Sequence, residues 1–89
     1  MAAHKIQIKG QTFYEDHYRL ETRDLGAAVR YLEATVSDLL EAGVGEQQLT
    51  VRAELDAAPY SIEIEVYATK AQATAIGWTI PPDSEDAAA

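Results

Sequence analysis

One segment in the middle of the chain carries apolar residues at helical spacing. These positions follow one another at intervals of four, three, four, three and one: Leu25, Val29, Leu32, Val36, Leu39 and Leu40. Such a stripe is typical of an amphipathic helix that packs one side against a sheet. Thr22 or Asp24 offers an oxygen to cap its start, and Gly43 suits the left-handed position after its end. We therefore expect a helix from Asp24 to Ala42.

Four segments around this helix alternate between apolar and polar residues, as half-buried β-strands do. They run from Lys5 to Lys9, Thr12 to Thr22, Leu49 to Leu55 and Tyr60 to Tyr67. The second segment is the least regular, because Asp16 falls on its apolar side, where an unpaired charge is costly. We expect a β-bulge or a wide loop at Glu15-Asp16 to relieve that cost.

The region after the last strand predicts a short second helix. Thr69 and Gln72 have the spacing of a capping box, and Gly77 suits the end of a helix of about two turns. The alternative is a fifth strand over residues 70–76, because this segment is rich in alanine and only weakly amphipathic.

The 89 residues are enough for one domain with a single core. Pro81-Pro82 stops regular structure near the C-terminus. The residues after it are small and acidic, a composition that does not form a packed core. We therefore expect one domain over residues 1–82 and a disordered acidic tail over residues 83–89.

The order of these elements predicts an α+β fold. We expect a four-stranded, mostly antiparallel sheet in ββαββ order, with one long amphipathic helix on one face and a short C-terminal helix. Four strands at about 4.8 Å spacing make a face about 15–20 Å wide, whereas a helix is about 10 Å wide. The helix alone therefore leaves part of that face uncovered. We expect Ile76, Trp78 and Ile80 to shield the remainder, or else a second copy or a partner to do so.

The opposite face of the predicted sheet is expected to be polar and solvated. The residues assigned to it are Lys5, Gln7, Lys9, His17, Arg19, Thr50, Arg52, Glu54, Ser61, Glu63 and Glu65. We expect cross-strand ion pairs of Lys5 or Arg52 with Glu63 or Glu65, each contributing about 0.2–1 kcal/mol.

Charge and composition narrow the classes of function. The formal net charge is −8, from 7 basic and 15 acidic residues, so the chain repels phosphate backbones and we expect no direct binding to nucleic acid. No apolar run approaches the roughly 20 residues of a membrane span. The first residues, Met1 to Lys5, lack the apolar stretch of a signal peptide, and the chain contains no cysteine. We expect a cytoplasmic protein that does not associate with membranes.

The sequence carries no catalytic motif that we can identify. Nucleophile elbows and phosphate-binding glycine loops are missing. His17 follows two acids, but neighbouring strand residues point to opposite faces and do not converge on a metal. Glu63 and Glu65 share a strand face, yet they are expected to be exposed beside basic residues. We therefore expect a protein that is not an enzyme and that holds neither a metal nor a cofactor.

The leading hypothesis is a protein-binding module that blocks a basic surface of a partner. The candidate contact residues are acids of the helix and aromatic residues off the apolar faces: Asp24, Tyr31, Glu33, Asp38, Glu41 and Tyr67. Aromatic side chains are favoured anchors of interfaces, and acidic groups favour basic partners. Small acidic inhibitors such as immunity proteins and phage-encoded anti-CRISPR proteins are similar in size, charge and architecture. The hypothesis therefore includes inhibitors carried by phages or mobile elements.

Two alternatives belong to other classes of function. A structural or assembly subunit would self-associate, for example as a homodimer, through the part of the sheet that the helix leaves uncovered. A ligand-binding domain would use a shallow pocket between helix and sheet, near Tyr14, Tyr18 and Tyr60.

Overall fold

The computed structural model describes residues 3–81, so the predicted tail over residues 83–89 lies outside the described part. Its helices and strands are β1 (His4–Ile8), β2 (Gln11–Thr22), α1 (Leu25–Glu41), β3 (Leu49–Glu54), β4 (Tyr60–Ala68) and α2 (Lys70–Ile76). A 3-10 turn over Glu46–Gln48 precedes β3. The predicted α+β class and the ββαββ order are confirmed.

All four strands form one antiparallel sheet with the order β1-β2-β4-β3. The two long strands, β2 and β4, lie in the centre, and β1 and β3 are the edges. Helix α1 connects β2 to β3 and packs across β2 and β4. The chain then returns along β4, which fills the place between β2 and β3.

Strand β2 is continuous, and the expected bulge at Glu15-Asp16 is wrong. The register with β4 runs unbroken from Tyr14 opposite Ala68 to Thr22 opposite Tyr60. An extra residue at Asp16 would shift every later pair of this ladder to the wrong face. Asp16 instead stays on the helix side of the sheet, where its Oδ1 accepts a hydrogen bond from the His17 amide at 2.7 Å. Its Oδ2 is buried and has no hydrogen-bond partner among residues 3–81.

Helix α1 has the predicted ends. The Asp24 carboxylate accepts a hydrogen bond from the Ala27 amide at 3.2 Å and caps the first turn. At the other end Gly43 adopts a φ of 90°, which costs glycine little. The Val44 amide then donates to the Leu39 carbonyl at 3.1 Å, and Val44 is buried against the last turn.

The core lies between α1 and the two central strands. Its largest fully buried side chains are Leu39, Ile62, Ile64 and Val66. On the helix, Ala28 is completely buried and has only a methyl group. Such a small residue lets the backbone of α1 approach the sheet closely, so the contact is centred on β2 and β4.

The segment after β4 forms a helix, not a fifth strand. Thr69 and Gln72 make the predicted capping box, and Gly77 ends α2 with a φ of 91°. Trp78 is buried, and its indole Nε1 donates to the Tyr18 hydroxyl at 2.8 Å. The Thr79 carbonyl accepts a hydrogen bond from the Ala3 amide at 3.2 Å. This segment therefore covers the flank of the core next to β1 and β2.

Two glutamine side chains join the end of α1, the 3-10 turn, β4 and α2. The Gln48 amide nitrogen donates to the Tyr67 carbonyl at 2.9 Å and to Gln72 Oε1 at 2.8 Å. The Gln72 amide nitrogen donates to the Gly43 carbonyl at 2.7 Å. Gln72 Oε1 also accepts from the Thr69 amide at 3.0 Å. Four separate segments are therefore fixed by one small amide network, of which the sequence predicted only the capping contact between Thr69 and Gln72.

We expect Gln72→Ala to lower the free energy of unfolding by about 1–3 kcal/mol, because it removes the partner of the Gly43 carbonyl and one of the two acceptors of the Gln48 side-chain amide. Denaturant unfolding monitored by circular dichroism measures this loss. The matched control is Gln47→Ala, which shortens an exposed glutamine of the same region and is expected to change stability by less than about 0.5 kcal/mol. Equal effects of the two variants would contradict the structural role of the network.

Candidate functional site

The two flanks of α1 are covered differently. On the side of β1 and β2, Trp78 is buried and Ile76 and Ile80 pack against the core. On this flank the expectation that these three residues shield the sheet is confirmed. On the opposite flank, over β3, the sheet is left open within residues 3–81. The mismatch in width between helix and sheet is therefore concentrated at one edge.

This uncovered flank forms the open apolar face, which consists of Leu25, Val29, Leu32, Val36 and Leu40 on α1 and Val51 on β3. Four of its side chains are unusually exposed for large apolar residues: Leu25 at 45%, Val29 at 37%, Leu40 at 47% and Val51 at 44%. The prediction that the whole α1 stripe packs on the sheet is therefore wrong in part. Leu39 is buried, whereas Leu40 beside it faces solvent.

A shallow cleft of about 530 Å³ lies in the open apolar face, between the C-terminal half of α1 and β3. Its lining residues come from α1 and β3: Leu32, Glu33, Val36, Ser37, Leu40 and Val51. Glu33 is the one ionisable group of this lining and stands at its rim. The cleft therefore offers an apolar floor with one negative charge, and it suits apolar side chains better than a polar metabolite.

The two edges of the sheet differ on the side that faces the helix. On β1, Lys5 and Gln7 point to that side, because they are paired with Tyr14 and Thr12. The prediction that Lys5 and Gln7 lie on the opposite face is wrong. A charge that points inward from an edge strand discourages pairing with another chain.

Strand β3 lacks this protection on its helix side. Leu49, Val51 and Ala53 point there, since they are paired with the buried side chains of β4. Polar residues occur only on the other side of the strand, at Thr50, Arg52 and Glu54. An accessible edge that carries no charge on its helix side, next to exposed apolar surface, is favourable for pairing with another strand.

The outer face of the sheet carries an ion-pair cluster. Arg19 Nε lies 2.9 Å from Glu63 Oε2, and Arg52 Nη1 lies 3.5 Å from Glu63 and 3.8 Å from Glu65. The predicted pairs of Arg52 are confirmed, whereas Lys5 points to the other side of the sheet. All of these pairs are largely solvated, so each contributes little to stability.

The outer face also has an apolar corner that was not predicted. Ile6 and Ile8 point there, and the Phe13 ring meets the Tyr67 ring edge-on at 5.2 Å. The Tyr67 hydroxyl donates to the Gln47 carbonyl at 2.9 Å. Tyr67 is thus held by intramolecular contacts.

The six predicted contact residues do not form one surface. Asp24 caps α1, and Tyr31 is half-buried against the core. Glu33 borders the open cleft, whereas Asp38 and Glu41 border a separate cleft between α1 and α2. Tyr67 lies on the outer face of the sheet. Of the six, Glu33 alone lines the cleft of the open apolar face.

The second cleft, between α1 and α2, has a volume of about 510 Å³ and includes Tyr18. Tyr14 is buried in the core at 4% exposure, and Tyr60 pairs with Thr22 at the far end of β2. The three tyrosines of the predicted ligand pocket therefore do not share a cavity. Burial raises the pKa of Tyr18; the hydrogen bond from Trp78 opposes this, and the nearby Asp16 adds to it.

The histidines do not define a metal centre. His4 stands opposite Glu15, and His17 lies on the same outer side, whereas Asp16 points to the helix side. Within residues 3–81, no three His, Asp or Glu side chains come together in a way that would hold a metal ion. Neither helix of this part of the chain has the length and apolar content to cross a membrane.

Comparisons with known proteins leave the site to be defined by geometry. No protein-family model, curated protein or solved structure matches the chain. The open apolar face is the candidate site, because it combines exposed large apolar side chains, a cleft and an accessible strand edge. The hydrophobic pattern contained these residues, and the width of the sheet predicted that the helix leaves part of it uncovered, but neither showed which edge stays open.

Two adjacent leucines test whether the open apolar face contributes to folding. We expect Leu39→Ala to lower the free energy of unfolding by about 2–5 kcal/mol, because it leaves a cavity in the core. Leu40→Ala removes the same atoms from a half-exposed position and is expected to cost less than about 1 kcal/mol. Denaturant unfolding of both variants measures the difference. A loss at Leu40 equal to that at Leu39 would show that this face belongs to the core.

The raised pKa of Tyr18 predicts how stability changes in alkali. The folded chain holds this proton more tightly than the unfolded chain, whose tyrosine titrates near the ordinary value of 10.0. The resulting stability is complete below that pH and is lost as the pH rises through the folded pKa. Tyr18→Phe is expected to lower the free energy of unfolding by about 1 kcal/mol at pH 7, because the hydrogen bond from Trp78 is lost. Above pH 10 the free energy of unfolding of this variant is expected to fall less steeply than that of the wild type. Unfolding curves from pH 7 to 11 measure both, and an unchanged alkaline decline would be inconsistent with this assignment.

Proposed function

We propose that this chain is a small, non-enzymatic protein-binding module that occupies a partner's surface with its open apolar face. The observation that carries the proposal is the exposure of Leu25, Val29, Leu40 and Val51 on one side of a folded domain. Apolar surface of this kind, bordered by polar residues, is typical of sites that contact other proteins. Burying it on a partner would supply a hydrophobic driving force that folding leaves unused.

The charge of the chain supports a partner with basic residues around an apolar contact. Residues 3–81 contain seven basic and twelve acidic residues. On α1, the exposed acids Glu33, Asp38 and Glu41 outnumber the single base, Arg30. Of these acids Glu33 alone borders the open apolar face, and together with the net negative charge of the chain it speeds the encounter with a basic surface. The same charge disfavours nucleic acid as the partner.

Occupation of a functional surface would make the module an inhibitor. The proposal therefore includes inhibitors of the immunity type and anti-defence proteins carried by phages or other mobile elements, acting in the cytoplasm. Such a role requires a rigid scaffold and a complementary surface, and it requires no catalytic group. On the outer face of the sheet, Glu63 is engaged by Arg19 and Arg52 in ion pairs.

Two substitutions on adjacent residues of β3 test the proposed surface. Val51→Lys places a charge in the open apolar face, whereas Thr50→Lys places the same charge on the outer side of the same strand. We expect the wild type and Thr50→Lys to capture the same partner from an extract of the source cells. Val51→Lys is expected to lose at least about 90% of that partner, since a buried unpaired charge costs several kcal/mol. Quantitative mass spectrometry of the captured proteins measures the ratio.

Thermal unfolding is the control for this comparison, because both variants should melt close to the wild type at these exposed positions. Equal recovery of the partner by Val51→Lys and Thr50→Lys would rule out the open apolar face as the contact surface. A stronger loss with Thr50→Lys would place the contact on the outer face of the sheet.

A further inference from the structure

We propose that a second copy of this chain pairs with β3, so that two four-stranded sheets join into one continuous antiparallel sheet of eight strands. The inference rests on the proposed function, because it gives the open apolar face its first partner. It starts from the contrast between the two sheet edges: Lys5 points inward on β1, whereas the helix side of β3 is free of charge. Of the two edges, β3 is therefore the one suited to accept another strand.

The charges of β3 complement each other under two-fold symmetry. The strand carries one base and one acid, Arg52 and Glu54, both on its outer side. A symmetric antiparallel pair keeps each face of the sheet continuous, so the two-fold axis lies midway between the two copies of one residue, which stand opposite each other. When that residue is Ala53, Arg52 of each copy stands opposite Glu54 of the other copy.

The neighbouring registers are less favourable. An axis at Arg52 places two guanidinium groups opposite each other, and an axis at Glu54 does the same with two carboxylates. An axis at Val51 leaves Arg52 opposite Thr50 and forms no ion pair. Like charges directly opposite each other destabilise the pairing of two strands, whereas a pair of unlike charges stabilises it. Of these registers, the one at Ala53 pairs the opposite charges of β3 with each other and places no like charges opposite each other.

The same register also brings apolar side chains together on the helix side. Val51 of one copy lies opposite Leu55 of the other, and the small Ala53 side chains meet at the axis. Val51 is 44% exposed in the single chain, so pairing removes apolar surface from water.

Joining the sheets would also reshape the open apolar face. Helix α1 lies across β2 and β4, so about four strand spacings, or roughly 19 Å, would separate the two α1 axes. Subtracting a helix diameter of about 10 Å leaves a groove about 9 Å wide. Its floor would consist of Val51 and Ala53 from both copies, and its walls of Leu40 and Val29. The two open apolar faces would become one groove that a partner can enter.

A charge-swap experiment tests the pairing on the full chain. Light scattering coupled to size-exclusion chromatography, at about 1 to 500 µM, is expected to show the mass rising from 9.7 kDa toward twice that value. Arg52→Glu and Glu54→Arg, each alone, place like charges opposite each other. Each is expected to weaken the dimer at least about tenfold. The double variant, Arg52→Glu with Glu54→Arg, is expected to recover most of the lost affinity.

Recovery in the double variant supports the Ala53 register, because a general loss of folding would not be repaired by a second substitution. Thermal unfolding of each variant confirms that the subunits are folded. A constant mass of 9.7 kDa at every concentration would overturn the proposal, as would a double variant no better than the single ones. If the chain stays monomeric while Val51→Lys still loses a foreign partner, the dimer is refuted and the proposed function stands.

Discussion

The structure depends on the contact between one helix and a sheet about twice as wide. Helix α1 approaches closely at Ala28 and buries Leu39 over the two central strands. A contact centred there leaves both outer strands to be covered by other means. The segment around Trp78 meets this need at β1, and β3 is left with its apolar side accessible. The candidate site therefore exists because the chain covers the sheet beside α1 on the β1 flank and leaves the β3 flank accessible.

The elements around the open apolar face are well fixed. Strand β3 pairs with β4 along its whole length. The 3-10 turn before it is tied to β4 and α2 through Gln48 and Gln72. A preordered surface loses little conformational entropy when it binds. This supports a contact surface on a rigid scaffold, with Glu33 as the acidic group of its cleft.

The fold could be predicted from local chemistry, since capping residues, left-handed glycines and alternating strands each act over a few residues. It was harder to predict on which face of the sheet each side chain lies and how deeply it is buried. A two-residue turn at Lys9-Gly10 sets Lys5 opposite Tyr14, so the pattern of β1 alone placed its side chains wrongly. Periodicity also does not measure how much of a stripe a sheet covers, so it placed Leu40 with the packed residues. The width of the sheet predicted an uncovered part but not its position over Val51 on β3. The Gln48–Gln72 network joins residues distant in sequence and left no local signal.

The central claim is that the open apolar face is accessible to solvent in the single folded chain. Methyl NMR spectra recorded with a soluble gadolinium chelate at low protein concentration measure this directly. The account predicts strong relaxation enhancement for the methyl groups of Leu40 and Val51, and almost none for those of Ile64 and Val66, which are buried. Equal protection of Val51 and Ile64 in the monomer would contradict it, because β3 would then be covered by the chain's own residues.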